Sequence, residues 1–214
     1  CRPLVSISTG VSHGIQLSVK RIFTTDFFDN WFTGLRDARA KVRIQARIDR
    51  AGLGNFGDCE LVGEGVSEMS IHFGLGYRVY FAQRGIEVVI LLAGGDKSPQ
   101  SKDIKRALEL ARRLCEWSMK AIKLRPWDSA EHLKTEEEMV LYLEACLEEG
   151  DAALIAHALG VIAKARGMTQ LARDTGLSRE SLYKALSGEG NPEFATVMKV
   201  VKALGFQLHA AAAP

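Results

Sequence analysis

Long apolar runs are missing from this chain. The longest, Val88-Val89-Ile90-Leu91-Leu92-Ala93, has the length of a buried strand and falls far short of the roughly 20 residues a bilayer-crossing helix needs. No membrane span is expected. Cysteine is scarce and scattered, at Cys1, Cys59, Cys115 and Cys146. With no CxxC pair and no Cys/His cluster, neither a zinc site nor a disulfide framework is expected, and no metal or other cofactor. No N-terminal stretch combines a basic region, an apolar core and a cleavage site, so the expected location is the reducing cytoplasm. Residues 1–16 also lack any helical period and read as an irregular extension.

What is there is an ordinary globular composition: 214 residues, 47% hydrophobic and 25% charged. That length suggests two domains of about 100 residues each. The net charge of +2 hides a pattern. Residues 1–118 hold 17 Lys+Arg against 13 Asp+Glu, residues 119–151 hold 4 against 9, and residues 152–214 hold 7 against 4. A basic part, an acidic part and a second basic part follow one another. Such an order suits two nucleic-acid surfaces with an acidic segment able to cover one of them, although solvated helix faces would give the same count.

Periodicity sets out the elements. Gln16 to Phe23 alternates as a strand. Thr24 or Thr25 then caps a helix over 26–35, with Phe27, Phe28, Trp31, Phe32 and Leu35 as a core-facing stripe. Asp37 caps a second helix reaching about Ala51, rich in arginine, with Val42, Ile44 and Ile48 for its buried side. Four strand-like runs follow, at 58–63, 66–73, 77–83 and 86–93, joined by short glycine-rich turns that leave no room for a crossover helix. Those must be antiparallel hairpins. A helix from Ser101 to about Trp117 closes this part. Residues 117–127 read as a linker, 136–149 as an acidic helix, and the remainder to Leu208 as almost wholly helical.

The sharpest local signal lies at residues 169–187. Thr169 can cap a helix over 170–175, Gly176 supplies a tight turn, Leu177 plugs the core, and Ser178 caps a helix ending at Ser187. With Ala172, Leu177, Leu182 and Leu186 inward, this is helix-turn-helix spacing. Gln170, Ser178, Arg179, Ser181, Tyr183 and Lys184 are the candidate DNA contacts, suited to phosphates and base edges. A short helical hairpin without DNA contact has the same spacing.

The stretch Ala158-Leu-Gly-Val-Ile-Ala-Lys-Ala-Arg-Gly-Met-Thr-Gln-Leu-Ala, then Gly-Leu-Ser-Arg-Glu-Ser-Leu-Tyr-Lys-Ala-Leu-Ser and Gly190-Asn-Pro-Glu-Phe-Ala-Thr-Val, resembles the HigA-like antidote proteins of bacterial addiction modules. The likeness covers nearly all of 119–208. It implies a helix-turn-helix antitoxin that binds its own operator. In the first part, Gly54-Asn-Phe-Gly-Asp58, the run Gly65 to Phe81 and the run Leu92 to Ile104 resemble the killer subunit of such modules, the HigB-like branch of the RelE/ParE superfamily, over about 17–114. That resemblance implies a small metal-independent mRNA endonuclease, usually acting on the ribosome. The RNA 2′-hydroxyl attacks the neighbouring phosphate, and basic side chains stabilise the phosphorane.

Matched motif by motif, Arg78 falls on the superfamily's phosphate-binding arginine and Lys97 on a second basic position. His72 joins them as a candidate catalytic residue on the neighbouring strand, and Tyr77 beside Arg78. Gln100, Arg47 and Lys102 are candidate RNA contacts. Where HigB-like strands usually read Glu-Leu-Arg-Ile, this one reads Glu68-Met69-Ser70-Ile71; a hydroxyl replaces a charge, so a weakened toxin is expected.

The expected fold is an α+β N-terminal domain, RelE-like with an antiparallel sheet and helices, plus an all-α C-terminal domain. Its expected layout is an extension at 1–16, a toxin domain at 17–116, a linker at 117–127 and an antitoxin domain at 128–214. The expected function is a type II toxin–antitoxin module in one chain. Its partners would be mRNA or the ribosome, operator DNA, and the other half of the same or a neighbouring chain, with no membrane and with a homodimer as the DNA-binding form. The alternatives are a non-catalytic transcriptional repressor with a degenerate toxin domain, and a ParE-like toxin that targets gyrase.

Overall fold

A computed structural model describes residues 19–96, 100–115, 122–188 and 190–209. The first part runs β1 (Arg21–Thr25), α1 (Asp26–Gly34), α2 (Ala38–Gly52), β2 (Cys59–Gly63), β3 (Val66–Ile71), β4 (Tyr77–Arg84), β5 (Val88–Asp96) and α3 (Gln100–Cys115). Then come β6 (Leu124–Pro126), a 3-10 turn at Ser129–His132, and five helices: α4 (Glu136–Glu148), α5 (Ala152–Arg166), α6 (Met168–Thr175), α7 (Arg179–Ala185) and α8 (Phe194–Ala203). The result is a mixed α/β arrangement with a helical C-terminal region.

Local chemistry places the helix starts. The Thr25 hydroxyl accepts from Phe28 N, the Asp37 carboxylate from Ala40 N, and the Asp151 carboxylate from Ala153 N and Leu154 N. Each satisfies an amide that the helix itself leaves unpaired. Thr135 and Glu138 form a reciprocal capping box at α4. Thr169 does not cap α6. That helix starts two residues earlier, at Met168, and its N-cap is Gly167, with no side-chain hydrogen bond. The buried Met168 extends the apolar face by one position, and packing settles the boundary.

The sheet has six strands in the order β2-β3-β4-β5-β1-β6. The hairpins β2-β3, β3-β4 and β4-β5 are antiparallel, as their short turns require. The expectation of an antiparallel sheet is corrected at β1, which pairs with β5 in parallel, Ile22 opposite Val89 and Phe23 opposite Ile90. No short turn joins those two strands, so nothing local fixes their relative direction. A second difference concerns the expected linker. Residues 124–126 pair antiparallel with β1, and Trp127 N donates to Ile22 O at 2.9 Å.

Strand alternation splits the sheet into two buried faces. Met69, Ile71, Val79, Phe81, Val89 and Leu91 pack against Phe28 and Phe32 of α1 and Ile44 and Ile48 of α2. Val66, Tyr80, Ile90 and Leu92 pack against Ala107 and Leu110 of α3. A third cluster fills the helical region, and α2 belongs to it as well: Val42, Ala46 and Leu53 join Leu133, Met139, Tyr142, Leu143, Cys146 and Leu154. So α2 is a shared wall. Residues 44 and 48 face the sheet, while 42, 46 and 53 face the C-terminal helices, consistent with 100° per residue. Among the described residues, no helix is long and apolar enough to cross a membrane.

Candidate functional site

Three arginines of α2, at positions 43, 47 and 50, are spaced by four and three residues and therefore share one helix face. Each meets an acidic side chain at or just beyond the end of α4. Arg43 forms a two-pronged pair with Glu148: Nη1 donates to Oε2, and Nη2 donates to Oε1 at 2.9 Å. Arg50 Nη1 donates to Glu149 Oε2, and its Nε lies 3.8 Å from Asp151 Oδ2. Arg47 Nη1 stands 3.7 Å from the same Glu149 carboxylate, while its Nη2 donates to Phe56 O at 3.1 Å. Arg47 is only 6% exposed. Gly57 arches over it at φ +59, where a Cβ would stand 2.2 Å from Nη1. The positive φ and the close approach both ask for glycine.

Beside these pairs lies a cleft of about 300 Å³, lined by the same arginines, Glu149, Ser70, His72 and Phe73 among others. The Arg43 guanidinium sits 4.5 Å from the Phe73 ring centroid. His72 Nε2 is 2.9 Å from Asp58 Oδ2, and both side chains are 68% exposed. Cys59 is close in sequence, but burial pushes its thiol up to about 11, so it holds no thiolate at neutral pH.

The seam has a second polar anchor. The buried Asp49 carboxylate accepts from Ser129 Oγ at 2.6 Å, Tyr142 OH at 2.5 Å and Trp127 Nε1 at 3.3 Å. Burial, with the Asp49 charge next, holds the Tyr142 phenol well above its usual pKa, so it stays a donor. Gln45 Nε2 donates to Ser129 O at 2.8 Å. Every one of these partners lies in 127–142, so the anchor exists only when the two regions meet.

The structure separates the residues that sequence grouped as a catalytic site. Arg78 Nε donates to Glu68 Oε1 at 2.6 Å, with both side chains largely buried. Arg78 lies opposite Ser70, and Glu68 opposite Tyr80. Alternation therefore sets them on the α3 face. The carboxyl of Asp103 is nearby: burial and then Asp96 raise its pKa, while Arg78 lowers it. Tyr77 is on the opposite face, against the α1/α2 cluster. Its phenol is raised by burial and then by Asp37 and Asp96. His72 instead lines the cleft with Arg47, and Ser70, opposite Arg78, also borders it. Lys102 is exposed on the first turn of α3. Lys97 lies outside the described residues, as does the side chain of Gln100.

Sequence reading missed Arg43, Arg50 and Asp49 as functional positions. The arginine-rich face and the acidic segment were both visible, but their pairing joins residues 99 or more positions apart.

In the helical region, α6 and α7 meet at Gly176, a left-handed C-cap at φ 70. Ser178 Oγ accepts from Ser181 N at 3.0 Å and bonds Ser181 Oγ at 2.8 Å, so both serines are engaged in the cap. Leu182 and Leu186 are buried, while Arg179, Ser181, Tyr183 and Lys184 are exposed along α7. Gln170 is also exposed and donates to Asp174 Oδ1 at 2.8 Å.

The helical region defines the class: it is a domain of the addiction-module antidote kind. Residues 123–212 match the family described as "Probable addiction module antidote protein", so this region of the chain carries that family's domain. Two Haemophilus influenzae proteins, each described as "Uncharacterized protein", are similar to it. One is 62% identical over 85 residues, which are 40% of this chain and 88% of the relative. The other is 51% identical over 94 residues, 44% of this chain and 95% of the relative. No solved structure matches the chain.

Proposed function

We propose that the chain carries a toxin and its antidote together: an RNA-cleaving RelE-like domain over about 17–116, and an antitoxin domain from 128 that holds it inactive and binds the operator of its own genes. The observation that carries this reading is the seam on α2. Glu148, Glu149 and Asp151 of the antidote-family region lie against Arg43, Arg47 and Arg50. A domain made to silence a phosphate-binding partner would put its carboxylates there. Because the two parts share one chain, the acidic end of α4 is present at an effective concentration on the order of millimolar, enough for a modest intrinsic affinity to keep the face covered. In this reading the exposed residues of α7 contact DNA as part of a dimer, in the cytoplasm, with half-sites about one helical turn apart.

The test is expression of residues 17–118 alone beside the whole chain, following growth and mRNA integrity. The shorter chain should arrest growth and shorten translated mRNAs, and the whole chain should do neither. Intact mRNA and normal growth with the shorter chain, shown to be folded, would remove the toxin half of the reading.

One observation favours a second reading, a repressor whose first domain no longer cleaves. Arg78 is already paired with the buried Glu68, and Ser70 supplies only a hydroxyl opposite it. Losing one transition-state donor costs roughly 100-fold or more in rate. If 17–118 is harmless but the whole chain binds its upstream DNA, this reading stands.

A further inference from the structure

We propose that the cleft between α2 and the end of α4 is a binding site for the phosphate backbone of single-stranded RNA, and that Glu149 in it and Glu148 beside it on Arg43 stand in place of phosphates. The proposal rests on the reading of the helical region as an antidote held against a toxin. It concerns binding, so it can fail or hold whether or not the domain cleaves.

Charge comes first. Arg43, Arg47 and Arg50 stand on one face of α2, and their heads meet carboxylates that belong to another region of the fold. Within the first part, Arg47 donates to the backbone carbonyl of Phe56. Removing α4 would leave three guanidinium groups side by side. Like charges at such spacing repel, so the face calls for an anion. The rise of 1.5 Å per residue spreads the three over about 10 Å of helix axis, a length suited to more than one phosphate. Guanidinium forks fit phosphate and carboxylate oxygens by the same two-pronged geometry, and Arg43 shows that geometry on Glu148.

The other walls favour RNA over an acidic peptide. Phe73 lies under Arg43 at 4.5 Å, and the exposed His72 imidazole, held by Asp58, lines the same cleft. Stacking surfaces beside a track of arginines are how proteins hold unpaired bases. None of these residues belongs to the α7 surface proposed for DNA.

The cover is weak enough to lift. Glu148 is 56% exposed, and an ion pair that open to water is weakly held. The experiment measures the whole chain against a fluorescein-labelled single-stranded 12-mer RNA by anisotropy at two salt concentrations. Glu148→Gln with Glu149→Gln should tighten binding about tenfold or more, with a steeper salt dependence. Adding Arg43→Gln and Arg50→Gln should return it to the parent level. Adding Arg179→Ala and Lys184→Ala instead should leave the gain in place. As a charge control, Glu137→Gln with Glu144→Gln, two exposed positions elsewhere on α4, should change binding less than twofold. If the double glutamine variant fails to keep the parent circular dichroism, Glu148→Gln alone serves, with a gain of about threefold. No gain in a folded variant overturns the proposal. So does a gain that survives loss of the arginines, is abolished by the α7 changes, or is matched by the charge control.

Discussion

Two arginine sites in this molecule look alike in a list of ion pairs and differ in what holds them. Arg78 is bound by Glu68, from the neighbouring strand of the same sheet. That pair forms as soon as the sheet does and persists whatever the helical region does. Arg43, Arg47 and Arg50 are bound by Glu148, Glu149 and Asp151, about a hundred residues away and in the antidote-family region. Their pairing exists only while the two regions touch. The first site is part of the architecture of the sheet. The second can respond to whatever competes for it, and a regulated surface has to be of the second kind.

The comparison breaks most readily at Asp49. Its carboxylate lies at the seam and is met entirely by donors from 127–142. Asp49→Ala should cost about 3 kcal/mol, because it leaves buried hydroxyls without an acceptor. Urea unfolding measures this directly. A chain cut within 117–126 should stay associated on a sizing column at micromolar concentration, and the same cut chain with Asp49→Ala should separate. Unchanged association would mean that apolar packing around Val42, Ala46 and Leu53 suffices alone.

The two glutamate partners give the next contrast, since the same substitution is made at each. Glu68→Gln leaves Arg78 charged and buried without its counter-ion, and should lower stability by about 3 kcal/mol. Glu148→Gln breaks a half-exposed pair and should lower it by less than about 1 kcal/mol. Equal losses in urea melts would erase the distinction between the two sites.

The smallest effect expected depends on pH. His132 stacks on Trp127 at 4.4 Å and meets Phe32 edge-on at 5.0 Å, on the sheet side of the seam. Burial, and then Lys41, lower its pKa from the usual 6.5. The folded protein therefore binds this proton less readily than the unfolded chain. Stability from this group is full above about pH 6.5 and is lost as pH falls below it. His132→Gln should flatten that part of the profile between pH 7 and 5. An unchanged slope would mean that another group sets it.

Much of the local structure was legible. The caps at Asp37 and Ser178, and one at Thr24 or Thr25, were readable because an N-cap needs only a short polar side chain and the amide two or three residues on. The three hairpins were readable because a turn of two or three residues permits no other connection. The candidate site was half legible. Arg47 and His72 were named from the sequence and do line the cleft. Arg78, placed with them by resemblance, is committed to Glu68 on the α3 face of the sheet instead. Strand alternation can say that Ser70 and Arg78 share a face once their register is known, but register between strands is a tertiary fact.

The sequence by itself determined the order of elements, the basic-acidic-basic succession of charge and the apolar stripes, because each depends on neighbours within about ten positions. The tertiary structure decided the rest. It set β1 parallel to β5, drew 124–126 into the sheet as β6, and buried α2 on both sides. It also chose which carboxylates meet which arginines. Those choices join residues far apart along the chain, and their free energy comes from closing distant segments onto a shared helix, which no local pattern encodes.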